Sequence, residues 1–253
     1  LGVYMVTESE LYQLITAGST LYVMTSQGLT ILDVSDPTNI EEHVTWTDGP
    51  SGFNPLLNGK TLYFAAGASL IYAVDVSDPT EPAVAGTITA TGIVRSLSLY
   101  NGQLLVGWMV CAPGPLGCNF GGIQFVDIQN PSQMEEADAI KDLGMVVNLL
   151  IDGDLAYWTA RGERINVFNL AQRQLVSRIE IDNQDIWLDG DRLFVATGIN
   201  GAQIFDVTTT ASATGGTRLG FGVNEDNYTW IRSYESGVGS RDLVFAGVAE
   251  YGR

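Results

Sequence analysis

The sequence predicts an all-β protein, a six-bladed β-propeller whose last blade is closed by the N-terminal strand. Three observations carry this. The phrase "LDVSDPT" at Leu32 to Thr38 returns as "VDVSDPT" at Val74 to Thr80. A glycine turn followed by an apolar run recurs six times, in "AGSTLYV", "NGKTLYF", "NGQLLVG", "DGDLAYW", "DGDRLFV" and "VGSRDLVF". Helical patterning is absent throughout, which excludes the helical solenoids.

The turn glycines are Gly18, Gly59, Gly102, Gly153, Gly190 and Gly239, with spacings of 41, 43, 51, 37 and 49. Asn-Gly and Asp-Gly between apolar runs are strong hairpin signals. Each turn is followed by a strand, a short loop, and a second β-rich run: "GLTILDV", "SLIYAVDV", "GGIQFVDI", "ERINVFNL" or "GAQIFDV". A four-stranded unit of about 40–45 residues is a propeller blade. The expected blades are 10–48, 49–90, 91–143, 144–182, 183–222, and 223–253 joined by 1–9, forming one domain over 1–253.

The repeated phrase reads as a corner. Asp33, Asp75, Asp127 and Asp206 end the third strands, where a carboxylate accepts hydrogen bonds from turn amides two residues on, and the following Pro presets φ. A structural role is the expectation for all four; repeated cation ligation is the alternative.

The stretches "GLTILDVSDPTNI" and "SLIYAVDVSDPTEPAVAGTI" resemble the LVIVD repeat, strongly in the first two blades and progressively less afterwards. Asn169 replaces the Asp in the fourth copy, and the fifth lacks the Asp-Pro turn. The resemblance implies a propeller that is secreted or surface-attached.

Closure is expected from the chain ends. Read head to tail, "LVFAGVAEYGR" and "LGVYMVTES" resemble "LFVATGINGAQIFDVTT", so Gly2 to Thr7 is expected to pair with Leu243 to Val248. The wrap from Gly239 to Gly18 has 32 residues, shorter than every other spacing, so the last blade should lack a full fourth strand.

The chain has 253 residues, 45% of them hydrophobic, enough for a large core. No run approaches 18 apolar residues, so no membrane span is expected. Leu1 opens without a signal region, which fits a cytosolic protein or a processed form. The net charge is −17, and Lys60 and Lys141 are the only lysines. Nucleic acid is an improbable partner, because affinity there depends on Lys and Arg neutralising phosphates. The acidity serves solubility, or life in a salty medium.

Cys111 and Cys118 stand in "MVCAPGPLGCNFGG". Six intervening residues close a small disulfide loop, which implies an extracytoplasmic setting, secreted, periplasmic or at the cell surface. The alternative is two unpaired thiols. No metal site is expected from them, because His43, the one histidine, is far off in sequence.

Ligands are expected at the channel mouth. Counting five back from each turn glycine gives Gln13, Asn54, Leu97, Asn148 and Asp185, with Arg95 and Ser96 as the polar residues of blade three. Oxygen ligands of this kind suit Ca²⁺, so Asp185, Asn54 and Asn148 are the candidates if that ion binds. Hydration of a water-filled channel is the bland alternative. The long Cys111–Cys118 loop, with Arg161 and Arg164 of the neighbouring blade, is the preferred contact surface.

No catalytic residue is expected. His43 lies in "EEHVTW", read as an outermost strand, away from any serine or cysteine of the channel. Two functions remain: a non-catalytic interaction module or structural part of a surface assembly, with a protein partner or self-assembly; and a Ca²⁺-dependent hydrolase resembling lactonase-type six-bladed propellers. The first needs no cofactor.

Overall fold

The computed structural model describes residues 3–5, 9–111, 118, 120–160, 164–183, 185–197 and 201–207, and the strands 217–222, 228–235 and 241–248. The chain divides into two compact units, Leu1–Leu143 and Gly144–Arg253.

The first unit holds three four-stranded antiparallel sheets. Sheet one is β1 (Leu11–Ala17), β2 (Thr20–Thr25), β3 (Gly28–Asp33) and β4 (Glu41–Trp46). Sheet two is β5 (Phe53–Asn58), β6 (Thr61–Ala66), β7 (Leu70–Asp75) and β8 (Ala83–Thr89). Sheet three is β9 (Ile93–Tyr100), β10 (Gln103–Val110), β11 (Phe120–Asp127) and β12 (Glu135–Ile140), with a short 3-10 helix, Pro131–Gln133, before its last strand. In the second unit, sheet four is β13 (Val147–Asp152), β14 (Leu155–Ala160), β15 (Arg164–Asn169) and β16 (Gln174–Glu180). Sheet five is β17 (Asp185–Asp189), β18 (Arg192–Ala196), β19 (Ala202–Asp206) and β20 (Thr217–Gly222). A two-stranded sheet, β21 (Tyr228–Glu235) and β22 (Arg241–Val248), follows.

Every four-stranded sheet is a simple meander, so each strand pairs with its sequence neighbours. The first turn is a two-residue hairpin in all five. Gly18, Gly59, Gly153 and Gly190 take the first turn position with φ of 59°, 60°, 53° and 53°, which a residue with a Cβ resists. Asn101 and Gly102 both have positive φ, 48° and 76°. Asn58, Asp152 and Asp189 are instead the last residues of their strands.

Neighbouring sheets pack face to face through alternate apolar residues. Tyr22, Met24, Leu29 and Ile31 of sheet one meet Leu62, Phe64 and Val74 of sheet two. Tyr63, Ala65, Ile71 and Ala73 on the opposite face of sheet two meet Val94, Leu97, Leu104 and Val106 of sheet three. In the second unit, Tyr157, Ile165 and Val167 meet Ile186, Leu193, Val195 and Phe205. Two-sided burial explains the near-continuous apolar runs of the second and third strands.

The protein is thus an all-β propeller, with five four-stranded blades among the described residues rather than the expected six. The correction lies after β20, where the described strands are β21 and β22 alone. The expected sixth blade is described only as β21 and β22, the two strands on either side of the Gly239 signal. Closure by Gly2 to Thr7 is not shown. Residues 3–5 are not in a strand, and the Tyr4 hydroxyl donates to the Glu42 carboxylate on β4. Residues 2, 6 and 7 lie outside the described residues.

Candidate functional site

Three of the corner carboxylates accept turn amides two residues on. Asp33 Oδ1 accepts from the Ser35 N–H at 2.7 Å, Asp75 Oδ1 from Ser77 at 2.8 Å, and Asp127 Oδ1 from Gln129 at 2.9 Å. Asp206 ends β19 at the equivalent position, and Asn169 Oδ1 accepts from Gln172 N–H at 2.7 Å. A second turn is nested behind the first. Asp36 Oδ1 accepts from both the backbone N–H and the hydroxyl of Thr38, at 2.8 and 2.6 Å. Asp78 does the same with Thr80, at 2.9 and 2.6 Å, and Asn130 with Ser132, at 3.2 and 2.8 Å. "DVSDPT" therefore encodes two successive side-chain caps, each reaching two residues ahead. Backbone amides hold Asp33 and Asp75 below the usual carboxylate range, Ser35 and Ser77 being the donors. Hydroxyls of Thr38 and Thr80 do so first at Asp36 and Asp78.

The inner strands carry a different device. In four sheets the pairing of first and second strands slips at one place. Leu11 pairs with Thr25 and Gln13 with Met24, leaving Tyr12 extra. Val94 pairs with Trp108 and Ser96 with Gly107, leaving Arg95 extra. Asn54 and Pro55 stand opposite Phe64 alone, and Asn148 and Leu149 opposite Trp158 alone. Asn54 and Asn148 adopt left-handed conformations, φ 55° and 50°, which Asn tolerates better than most residues. Bulges re-aim side chains and recur beside functional sites. The positions expected at the channel mouth thus coincide with a repeated backbone feature: Asn54, Arg95 and Asn148 lie in it and Gln13 directly follows it.

Their roles separate on inspection. The Gln13 side-chain oxygen accepts the Asn54 backbone N–H, tying β1 to β5. Leu97 is core. Arg95 is exposed, and Ser96 beside it is buried with its hydroxyl unpartnered. Asp185 opens β17, whose pairing with β18 is regular, and is 8% exposed. Two residues before it, Asn183 is 2% exposed; its Nδ2 donates to the Ile181 carbonyl while its Oδ1 has no partner. Among the described residues no three His, Cys, Asp or Glu side chains cluster as a metal site would require.

Cys111 and Cys118 form a disulfide at the tip of the β10–β11 hairpin. By register this tip and the Arg95 bulge lie at the same end of blade three. Arg164 opens β15 opposite Ala160 and Glu180; Arg161 lies outside the described residues. His43 sits half-buried on β4, the last strand of its sheet, as expected. No helix among the described residues is long and apolar enough to cross a membrane.

No curated protein matches this chain. A chain in the solved structure described as "Crystal Structure of Mitotic Checkpoint Complex" is similar in fold, with a TM-score of 0.65 at 15% identity, covering 90% of this chain and 69% of that one. The LVIVD repeat model matches residues 17–48 and 57–90, the spans that contain both copies of the corner phrase. With its five meander sheets, the chain is a β-propeller that carries LVIVD repeats.

Proposed function

We infer that this propeller is a non-catalytic, extracytoplasmic interaction module or a structural component of a surface assembly. The carrying observation is the LVIVD-repeat propeller in which a long hairpin tip is stapled by Cys111–Cys118. A disulfide persists in oxidising compartments, and a rigid scaffold bearing a stapled loop suits recognition. The candidate contact residues are, in the first unit, that tip with Gln13, Asn54 and Arg95, and, in the second unit taken by itself, Asn148, Arg161, Arg164 and Asp185. The partner is a protein or another copy of the chain. Replacing residues 112–117 by a Gly/Ser hexapeptide should abolish cross-linking to the partner in source cells at unchanged melting temperature. Undiminished cross-linking, or recovery of the chain from the reduced cytosol with free thiols, overturns this reading.

A second reading, a Ca²⁺-dependent hydrolase, is favoured by one observation. The unpartnered buried Asn183 Oδ1 and the buried Asp185 carboxylate supply two oxygen atoms of the kind Ca²⁺ takes. Asn148 of the same unit is the further candidate, and Asn54 of the first unit is a candidate by itself. Calorimetric titration with CaCl₂ decides: heat lost in Asp185→Asn supports it, and no binding heat removes it.

Residues 2–7 are inferred to supply a third strand to the β21–β22 sheet. Sequence likeness to the third strands supports this, as does the exposure of Val3 and Met5 around half-buried Tyr4.

A further inference from the structure

Blade three ends in a rung of two exposed apolar side chains. Val110 closes β10, Phe120 opens β11, and the two are direct cross-strand partners. They remain 40% and 51% exposed. The next residue along β10 is Cys111, joined to Cys118. The rung is therefore held on one side by the strand ladder and on the other by a covalent bond.

Its floor is fixed too. Trp108 lies two residues before Val110, on the same face of β10, and its ring crosses from Gly92 to Gly122. A Cβ at either glycine would meet that ring at 2.9 Å, and one at Gly92 would also meet Val110 Cγ2 at 3.1 Å. Glycine at both positions lets the indole lie flat against the backbone. Such a preorganised apolar step loses little conformational freedom on binding.

The same end of the sheet carries a cation. Arg95 is the extra residue of the β9 bulge, opposite Gly107 and Trp108. By strand spacing its backbone lies about 8 Å from that of Val110, within reach of an arginine side chain. It is exposed, and among the described residues no hydrogen bond or ion pair holds it. The chain has 29 acidic and 12 basic residues, so an Arg left without a carboxylate is open to one from outside.

We propose that this end of blade three docks an acidic segment of a partner protein, an aromatic or aliphatic side chain seating on Val110 and Phe120 and a neighbouring carboxylate pairing with Arg95. The inference rests on the interaction-module reading and gives its partner a chemistry. Guanidinium–carboxylate pairing is directional, aromatic anchors dominate such contacts, and an exposed apolar step is not enclosed as a small-molecule pocket would be.

The probe is the peptide Ac-Glu-Phe-Asp-Phe-Glu-amide, titrated into ¹⁵N-labelled full chain while the Trp108 indole N–H resonance is followed. That resonance is assigned as the one missing in Trp108→Phe. The expected result is a saturable shift. The isostere Ac-Gln-Phe-Asn-Phe-Gln-amide should bind at least tenfold more weakly, as should Arg95→Gln and Phe120→Ser, both melting like the unmodified protein. No saturable shift, equal response to the two peptides, or undiminished binding by Arg95→Gln overturns the proposal. A partner cross-linked in cells that leaves this resonance unmoved also overturns it, while the interaction-module reading stands.

Discussion

The carbonyl oxygen of Pro131 lies 2.1 Å from where a Cβ on Gly86 would stand. Gly86 is the centre of β8, the last strand of its sheet, and Pro131 opens the 3-10 helix of blade three, which rests against that strand. An unpaired outer strand is a template for association unless charged or covered. The sequences "EEHVTW", "EEADAI" and "QLVSRIE" of β4, β12 and β16 carry charges; "AVAGTIT" of β8 carries none. Coverage replaces charge there, and the absence of a side chain at Gly86 permits it.

Gly86→Val is therefore expected to destabilise the fold by about 1–3 kcal/mol, the usual range for overpacking, and to promote association as the 3-10 helix is displaced. Melting with size-exclusion chromatography reads both. An unchanged melting temperature and a monomeric profile would show the cover to be dispensable.

The nested corners set the acid response. Asp33, Asp36, Asp75 and Asp78 all titrate below their ordinary range because donors stabilise the ionised form. A carboxyl depressed in the folded state contributes stability that is present above its unfolded pKa, about 3.9, and is lost as pH falls through the lower folded value. Melting temperature should therefore drop below about pH 4. Asp33→Asn with Asp75→Asn keeps the acceptor oxygen, as Asn169 does naturally, and should flatten this acid limb while Asp→Ala at both lowers stability at neutral pH. Identical acid limbs in all three proteins would remove the corner from the account.

The corners and hairpins were legible because their determinants are local. A glycine at the first turn position and an Asp two residues before its donor amide need no knowledge of register. Even so, the role of Asp36 and Asp78 was not separated from that of the following proline, although Thr38 and Thr80 two positions on carried the signal. The inner-strand bulges were not legible: Arg95 becomes extra only once Val94 is known to pair with Trp108, and that register is a property of the sheet. Gly86 failed for the same reason, since its constraint comes from Pro131, 45 positions away. The blade number was overcounted because a hairpin signal at Gly239 reports two strands and is silent on the third and fourth.

The Cys111–Cys118 link closes a short loop, for which chain entropy predicts about 2 kcal/mol. Cys111→Ser with Cys118→Ser should lower the denaturant midpoint accordingly, and thiol titration of the unfolded, unreduced protein should find no free thiol. Two titratable thiols would contradict the bond and weaken the extracytoplasmic assignment with it.

Residues 2–7 are the segment proposed to add a strand to β21 and β22. Among the described residues β22 pairs with β21 alone, and a two-stranded sheet is marginal in water. Val3 and Met5 present apolar side chains to solvent, a cost that pairing of this segment would relieve. Its described anchor is the Tyr4 hydroxyl, which meets Glu42 and Thr45 on β4. Deleting residues 1–9 should lower the melting temperature by several degrees and promote association, because an added strand edge is then exposed. Tyr4→Phe removes the anchor and keeps the strand, so it should change melting by about a degree, as one exposed hydrogen bond warrants. If the deletion melts like Tyr4→Phe and stays monomeric, the segment is a tether to Glu42 and nothing more, and closure by residues 2–7 is wrong.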